Sequence, residues 1–379
     1  MDSEVKASHT DPEVAIVILH YEGFEGLCKC IDSVLLSRYS NLRVFLVDNG
    51  SVDGSVGRAE ERYRDRINLL KLQGNLGFVR GYNVALKQIF SDYVVLLNDD
   101  TIVEPDWLNA LVSVAESDDK IGACQPKLRW LSHPSYFEYN GACGGMLDSC
   151  AVPFTRGRLF DRAEQDLGQY DTSVDVFWAS GAAMFLRRDA LVEADFLDEM
   201  FYAHMEEIDL SWRLRLRGYR VVSVPSSVVY HLGGGTSLGS KSFLKHRNNL
   251  LMMVKNYSAA SLLKYLPLRF LLDMASVLYL SIRRRVGLDT DPIRAYYWLL
   301  VNIRTVVRRR GEVQSRRLLS DKAIIRNMAR PNVALQYFFL KRVRFSELTG
   351  LPLSMQSYLR NVSPELAGKT ATMTLETIF

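Results

Sequence analysis

The chain has 379 residues, 48% hydrophobic and 24% charged, which is typical of a globular protein of about two domains and excludes wholesale disorder. The formal net charge of +4 hides an asymmetry. Residues 256–379 carry 20 Lys and Arg against 8 Asp and Glu, whereas the residues before them carry a net charge of −8. A basic C-terminal third favours an anionic partner. Five cysteines without a CxxC pair or a zinc spacing indicate reduced thiols in a cytosolic setting.

The first residues are polar and lack an apolar run, so residues 1–13 are expected to form a short flexible tail rather than a secretory signal. From Val14 onward, apolar runs alternate with segments of helical pattern, which predicts βαβ units around a parallel sheet. The predicted strands are Val14–His20, Leu42–Asp48, Ile67–Leu72, Tyr93–Leu97 and Ile121–Gln125. The predicted helices are Gly26–Ser37, Asp53–Arg64, Gly81–Phe90 and Pro105–Ser117.

Periodicity is lost over residues 126–174, where Gly, Pro, Ser and aromatic residues predict a long loop-rich insertion. Regular patterns return in a helix over Glu206–Arg217 and in four short strands. These strands are Val174–Trp178, Ala182–Leu186, Arg220–Val224 and Val228–His231.

The last third is rich in Leu, Tyr and Arg and predicts helices. In a helix from Pro267 to Arg284, polar residues fall on one stripe and the other faces are almost entirely apolar. The stripe consists of Arg269, Asp273, Ser276, Leu280, Arg283 and Arg284. Charged residues cost about 3 kcal/mol each near a bilayer centre, so we expect a helix that lies in the membrane interface or packs against the main domain. Residues 293–310 are similarly two-faced, and no nucleic-acid-binding motif accompanies the basic residues.

Several polar segments coincide with predicted strand ends, where ligands bind in open α/β sheets. The clearest is Tyr93–Asp100, a buried run that ends in Asn98, Asp99 and Asp100. Two adjacent acids there suit either a solvated turn or a hard divalent cation bound together with substrate phosphates. The other segments, in chain order, are Leu46–Ser51, the glycine-rich Gly74–Asn83, the acidic His204–Arg213 and Val229–Gly235.

Taken together in this order, these segments resemble glycosyltransferase family 2, the inverting enzymes with the GT-A fold, and in particular the rhamnosyltransferase-like branch. The resemblance covers about Val14 to Tyr257. It implies a mostly parallel Rossmann-like sheet over residues 14–255, with a nucleotide-binding half (14–125) and an acceptor half (126–255). Residues 256–379 would then be a helical, membrane-associated region.

The resemblance also implies roles for individual residues. Asn98-Asp99-Asp100 takes the place of the family's DxD motif, with Asn first, and makes Asp100 a metal ligand, joined by His231. Glu207 takes the place of the catalytic base, where the family usually has Asp. Acceptor contacts are implied for Trp178, Gly181, Glu206 and Asp209. Contacts with the donor nucleotide are implied for His20, Tyr21, Asp48, Asn75, Gly77, Arg80, Asn83, Asn98 and Asp99.

The function implied is transfer of a sugar from a UDP- or dTDP-sugar, with Mg²⁺ or Mn²⁺ as cofactor, to a glycan or lipid-linked acceptor in cell-surface polysaccharide synthesis. Rhamnose is suggested by the branch. The enzyme would act at the cytoplasmic face of the membrane as a peripheral protein, with an anionic membrane surface but no nucleic acid among its partners. Two alternatives stay open, a catalytically degenerate nucleotide-sugar-binding scaffold and a nucleotidyltransferase.

Overall fold

Strands and helices largely alternate along the chain in a computed structural model, which describes residues 11–138, 141–233, 241–284, 290–330, 332–361 and 372–374. The strands are β1 (Val14–His20), β2 (Leu42–Asp48), β3 (Asn68–Lys71), β4 (Tyr93–Asn98), β5 (Thr101–Val103), β6 (Ile121–Trp130), β7 (His133–Phe137), β8 (Gly145–Leu147), β9 (Pro153–Thr155), β10 (Arg158–Leu159), β11 (Arg162–Glu164), β12 (Val174–Asp175), β13 (Ala183–Arg187), β14 (Arg220–His231) and β15 (Thr372–Thr374).

The α-helices are α1 (Phe24–Leu35), α2 (Ser55–Tyr63), α3 (Gly77–Leu86), α4 (Trp107–Glu116), α5 (Arg188–Glu193), α6 (Glu206–Leu216), α7 (Lys241–Asn256), α8 (Ala259–Arg284), α9 (Asp291–Val301), α10 (Ile303–Ser315), α11 (Asp321–Ile325), α12 (Val333–Phe338) and α13 (Leu353–Asn361). Most of the predicted N-terminal tail, residues 1–10, lies outside the described residues, as do Gly234 and Gly235.

Within the described residues, ten strands form a central sheet with the main order β12-β14-β6-β13-β4-β1-β2-β3. The pairs β1–β2, β1–β4, β2–β3 and β6–β14 are parallel, as the alternation predicts, whereas β13 runs antiparallel between β4 and β6. This arrangement brings the carboxyl ends of β1, β2, β4 and β14 and the amino end of β13 to one edge of the sheet. The polar segments quoted above therefore meet at that edge.

Side chains alternate between the two faces of the sheet along each strand, and apolar side chains lie on both faces. Helices therefore pack on both faces. In β1, Val14, Ile16 and Ile18 pack with α1, α2 and α4, whereas Ala15 and Val17 pack in the core that includes α3 and α6. The second core continues without interruption into α7 to α12, so the C-terminal helices are packed on the sheet domain. The five cysteines, all within the described residues, are buried and free.

The prediction of a loop-rich insertion over residues 126–174 was wrong. β6 extends to Trp130, and β8 to β11 with β15 form a second, antiparallel sheet of five strands among the described residues. Strands of two or three residues are too short to show an alternating pattern, and most of their side chains are buried.

The prediction for the faces of α8 was also incomplete. The helix begins at Ala259, so Pro267 lies inside it rather than in its first turn. Arg269 and Asp273 are each 6% exposed; Arg269 Nε donates to Asp273 Oδ1 at 2.8 Å and Arg269 Nη1 to the Cys150 carbonyl at 3.0 Å. This part of the polar stripe therefore faces the protein. The side chains of Leu280, Arg283 and Arg284 lie outside the described residues.

Apolar side chains of α8 consequently face outward. Leu271 is 64% exposed and Leu278 is 58% exposed. Five apolar or aromatic residues of α9 and α10 are also exposed: Tyr297, Leu300, Val301, Ile303 and Val307. Among the described residues, no helix has the length and apolar character needed to cross a membrane.

Replacing Asp273 tests whether the buried ion pair holds α8 in this orientation. Asp273→Ala leaves the Arg269 guanidinium buried without its carboxylate, so we expect the free energy of unfolding to fall by about 3–5 kcal/mol. Asp106→Ala, which breaks the exposed pair between Arg38 and Asp106, is the control and should cost less than about 1 kcal/mol. Urea denaturation of the full chain measures both, and equal small losses would contradict the orientation of α8.

Candidate functional site

His20 contacts Asp99 of the acidic motif Asn98-Asp99-Asp100. It ends β1 and is fully buried, with Nδ1 2.6 Å from Asp99 Oδ2 and Nε2 2.8 Å from Ser55 Oγ. The Ser55 hydroxyl donates to Asp53, whose pKa is lowered to about 2 by the Gly23 N–H and by two bonds from Ser55. Both ring nitrogens of His20 have protein partners. The structure therefore gives His20 a role in holding Asp99, and its contact with the nucleotide stays a prediction.

The loop after β2 is held by side-chain hydrogen bonds to backbone N–H groups. Asp48 Oδ1 accepts from Ser51 at 2.8 Å, and Asn49 Oδ1 accepts from the Leu76 N–H at 2.9 Å. Asn75 Oδ1 accepts from the Gly77 N–H at 2.9 Å. These bonds fix the start of α3 beside the end of β2.

Gly77 begins α3 with φ +76°, a conformation that favours glycine, and a Cβ there would lie 3.2 Å from Tyr202 Cε2. The helix starts four residues earlier than predicted, which places the exposed Arg80 in its first turns, with Nε 3.7 Å from Glu199 Oε2. Tyr21, after β1, is 41% exposed. Asn83 differs: it is buried, and its amide donates to the Leu197 carbonyl and accepts from the Leu197 N–H, so it bonds within the protein.

Asn98 and Asp100 meet His231 at the ends of β4 and β14. His231 is buried; Nε2 lies 3.1 Å from Asp100 Oδ1 and 3.3 Å from Asn98 Nδ2. Nδ1 lies 3.2 Å from Oε1 of Glu138, a second buried acid. Burial alone would lower the pKa of His231, but Glu138 and Asp100 outweigh it and raise that pKa to about 10. Burial would raise the pKa of Asp100, and His231 outweighs it, so that pKa is lowered.

The residues at this corner fit a divalent cation in part. Asp100 Oδ1 is buried and makes no hydrogen bond to any described residue, its contact with His231 being at ion-pair distance only. In the part of the chain that the structure describes, no group of three or more His, Cys, Asp or Glu side chains is arranged to hold a metal ion. Asp99 is already engaged by His20. Asp100 and His231 are thus two protein ligands at most, which suits an ion that also binds diphosphate oxygens.

Glu207 lies in the first turn of α6 and faces the same edge of the sheet. A Cβ built on Gly181 would lie 3.8 Å from Glu207 Cβ and 3.4 Å from Phe78 Cζ. The next residue, Ala182, accepts a hydrogen bond from the Asn98 N–H at 3.0 Å. Gly181 and Ala182 thus connect Glu207 with Asn98 of the acidic motif, although Glu207 and Asn98 are more than 100 residues apart in sequence.

The environment of Glu207 keeps its carboxyl group reactive. Its Oε2 is buried and makes no hydrogen bond to the described residues, and Oε2 of Glu206 is in the same condition. Burial raises the pKa of Glu207 to about 7, and burial together with the adjacent Glu207 raises the pKa of Glu206 further. A carboxyl group that titrates near neutral pH suits a general base. The two residues before the helix, His204 and Met205, have φ of +70° and +72°, which is rare outside glycine and orients the turn that presents Glu207.

Two of the predicted acceptor residues are structural. Asp209 is fully buried, and its carboxylate accepts from Arg213 at 2.8 Å, Lys255 at 3.1 Å and Asn256 at 2.9 Å, which ties α6 to α7. Trp178 is 5% exposed and donates to the Met146 carbonyl. In contrast to these two residues, Gly181 and Glu206 lie beside Glu207.

Sequence reasoning missed the residues that support the site. Glu138 lies in the stretch interpreted as a loop, and Asp53 and Ser55 lie at a predicted helix start. No local signal marks Glu138, since only the tertiary structure buries it against His231. Asp53 could have been found, because an acid before a helix commonly accepts backbone N–H bonds.

The model of glycosyl transferase family 2 matches residues 15–190. N-acetylglucosaminyl-diphospho-decaprenol L-rhamnosyltransferase of Mycobacterium tuberculosis is 27% identical over 260 residues, covering 64% of this chain and 84% of that protein. Poly-β-1,6-N-acetyl-D-glucosamine synthase of Staphylococcus aureus is 25% identical over 229 residues, covering 58% of this chain and half of that protein.

Among solved structures, that of GalNAc-T7 with UDP, GalNAc and Mn²⁺ has a TM-score of 0.52 at 14% identity. The match covers 67% of this chain and 49% of GalNAc-T7, so it concerns the fold alone. The fold expected from the sequence, a GT-A fold followed by a helical region, is confirmed. Residues 15–190 are a glycosyltransferase family 2 domain, and the protein is a glycosyltransferase.

Proposed function

We propose that this enzyme is a metal-dependent inverting transferase that moves a sugar from a UDP- or dTDP-sugar to a lipid-linked or glycan acceptor. The observation that carries the proposal is the position of Glu207, a half-buried residue whose Oε2 is buried, beside Gly181 and close to the end of β4, which leads from Asn98 into Asp99 and Asp100. Within this proposal, residues 14–255 are the catalytic domain and residues 256–379 attach it to a membrane.

The donor would lie across the carboxyl ends of β1, β2 and β4. The start of α3 offers the positive end of a helix to its diphosphate, and the exposed Arg80 adds a positive charge. Tyr21 and Asp48 flank the nucleoside side of this edge. A divalent cation held by Asp100 and His231 would supply positive charge against the negative charge that develops on the leaving diphosphate.

Glu207 performs the proton transfer. Its unpartnered Oε2 accepts the proton of the acceptor hydroxyl as that oxygen bonds to the anomeric carbon, while the bond to the diphosphate breaks on the other side of the sugar. A single displacement of this kind inverts the anomeric configuration. Glu206, whose raised pKa favours the neutral acid, can donate a hydrogen bond to the acceptor.

The proposed sugar and acceptor are based on the mycobacterial relative. Its name specifies L-rhamnose as the sugar moved and N-acetylglucosaminyl-diphospho-decaprenol as the acceptor. We therefore propose a deoxyhexose such as rhamnose, carried by a nucleoside diphosphate, and a polyprenyl-diphosphate-linked sugar as acceptor, in the synthesis of a cell-surface polysaccharide.

A screen of UDP- and dTDP-sugars with Mn²⁺ or Mg²⁺ tests the reaction. Transfer should release a nucleoside diphosphate and depend on an added lipid-linked acceptor. A nucleotidyltransferase would release pyrophosphate instead, and a degenerate scaffold would bind donor without releasing either product. Either of these results would refute the proposed reaction.

Exposed apolar side chains of α8 to α10 support attachment to an anionic membrane surface at its cytoplasmic face. Leu271 and Leu300 are exposed by 64% and 69%, and exposed cations lie on the same helices. These cations are Lys264, Arg294, Arg304 and Arg308. Each basic residue near an anionic leaflet contributes about 1 kcal/mol, and apolar burial adds to this.

Vesicle flotation tests the membrane surface. The full chain should float with phosphatidylcholine vesicles that contain phosphatidylglycerol, and less so at high salt. Leu271→Glu combined with Leu300→Glu should lower the partition coefficient about tenfold or more, because each buried leucine contributes about 1.5 kcal/mol or more. Leu353→Glu on α13, where Leu353 is 78% exposed, is the matched control and should float like the unmodified chain. Undiminished flotation of the double variant would contradict this surface.

A further inference from the structure

Glu138 is the acid that faces the Nδ1 side of His231, opposite Asp100. It directly follows β7. It is 1% exposed, and its backbone N–H donates to the Leu128 carbonyl at 3.1 Å, so its place beside β6 is set by the main chain. Its Oε1 lies 3.2 Å from His231 Nδ1, at ion-pair distance and without the geometry of a hydrogen bond from that nitrogen. The opposite ring nitrogen, Nε2, faces Asp100 and Asn98.

The backbone after β14 closes around this acid. Gly233 has φ +67°, and a Cβ added there would lie 2.9 Å from Glu138 Oε1. The Leu232 N–H donates to the Asp100 carbonyl at 3.1 Å. The segment Leu232–Gly233 thus lies against both acids that flank His231, Glu138 on the Nδ1 side and Asp100 on the Nε2 side.

A buried carboxylate is costly unless a cation or hydrogen-bond donor compensates it. His231 is a group of this kind at ion-pair distance from Glu138. In metal sites, a carboxylate that accepts the proton of one histidine nitrogen directs the other nitrogen to the metal and increases its basicity.

We propose that Glu138 is a positioning residue of the cation site: its carboxylate pairs with the Nδ1 side of His231 and keeps Nε2 turned toward Asp100 as a ligand. This inference rests on the proposed function, since it needs a cation at Asp100. Glu138 itself does not contact the donor or the acceptor.

The affinity of the full chain for Mn²⁺ in the presence of UDP, measured by titration calorimetry or by electron paramagnetic resonance, tests the role. Glu138→Met keeps the side-chain length but removes the acceptor, and it should weaken Mn²⁺ binding about 10–100-fold. Glu138→Gln keeps a neutral acceptor oxygen and should restore part of the affinity. Glu164→Gln is the matched control, because Glu164 is also 1% exposed but binds Tyr170 and the Phe345 N–H instead.

The reference variants His231→Ala and Asp100→Ala distinguish a failure of the role of Glu138 from a failure of the proposed cation site. If both weaken Mn²⁺ binding while Glu138→Met does not, Glu138 is not a positioning residue and the cation site stands. If neither weakens it, the cation site itself is wrong and the role of Glu138 is overturned with it.

A spectroscopic measurement covers the case in which Glu138→Met fails to fold. The ¹⁵N shifts of His231 in the Mg²⁺-loaded protein should show a proton on Nδ1 and none on Nε2. Glu138→Asp, which keeps the charge but withdraws the carboxylate by one methylene, should weaken Mn²⁺ binding. A proton on Nε2, or unchanged binding by Glu138→Asp, would overturn the proposal.

Discussion

Glu207→Gln is expected to lower turnover by a factor of about 10²–10⁴ while the affinity for the donor stays unchanged. The amide has nearly the same shape as the carboxyl group but cannot accept the proton of the acceptor hydroxyl. Because Glu207 is half-buried and its buried Oε2 has no hydrogen-bond partner among the described residues, the neutral amide should not destabilise the fold. Turnover at saturating substrates and donor affinity by calorimetry check the two halves of this result.

The dependence of the reaction on pH gives an independent check on Glu207. A base acts in its ionised form, and burial raises the pKa of Glu207 to about 7, so kcat/KM should rise with pH up to about 7 and level off above it. Glu207→Gln should lose this rise. Near-normal turnover of the variant, or a rise that persists in it, would remove Glu207 as the base.

Asp100→Ala is expected to abolish the part of donor binding that depends on Mn²⁺. The carboxylate provides the protein's charge at the cation site, so its loss should weaken binding of a UDP-sugar in the presence of Mn²⁺ by about 3 kcal/mol, or more than a hundredfold. Without Mn²⁺, the variant and the unmodified chain should bind the donor alike. Calorimetry with and without Mn²⁺ measures this difference.

Asp106→Ala serves as the control for Asp100→Ala, because Asp106 is 61% exposed and lies outside the site. It should keep the Mn²⁺ dependence of donor binding. If Asp100→Ala also keeps that dependence, the metal role of Asp100 is refuted, whereas the role of Glu207 is tested separately by turnover.

The sequence by itself determined the central sheet and the strand ends that form the site. Buried strands such as β1 and β4 consist almost entirely of apolar residues and end in polar ones, and this contrast depends on neighbouring residues alone. Parallel connection then requires the ends to meet at one edge. The positions of Asp48, Asp100 and His231 at that edge follow from local pattern plus topology.

Only the tertiary structure decided which residues support the site and how the C-terminal helices are oriented. Glu138 has no sequence signal, since its burial depends on β14, which is more than 80 residues further along the chain. In α8 the sequence shows two unlike faces but not which of them packs inward. Arg269 and Asp273 face inward because the Cys150 carbonyl and the Tyr296 hydroxyl hydrogen-bond to them there, and these partners come from other elements of the chain.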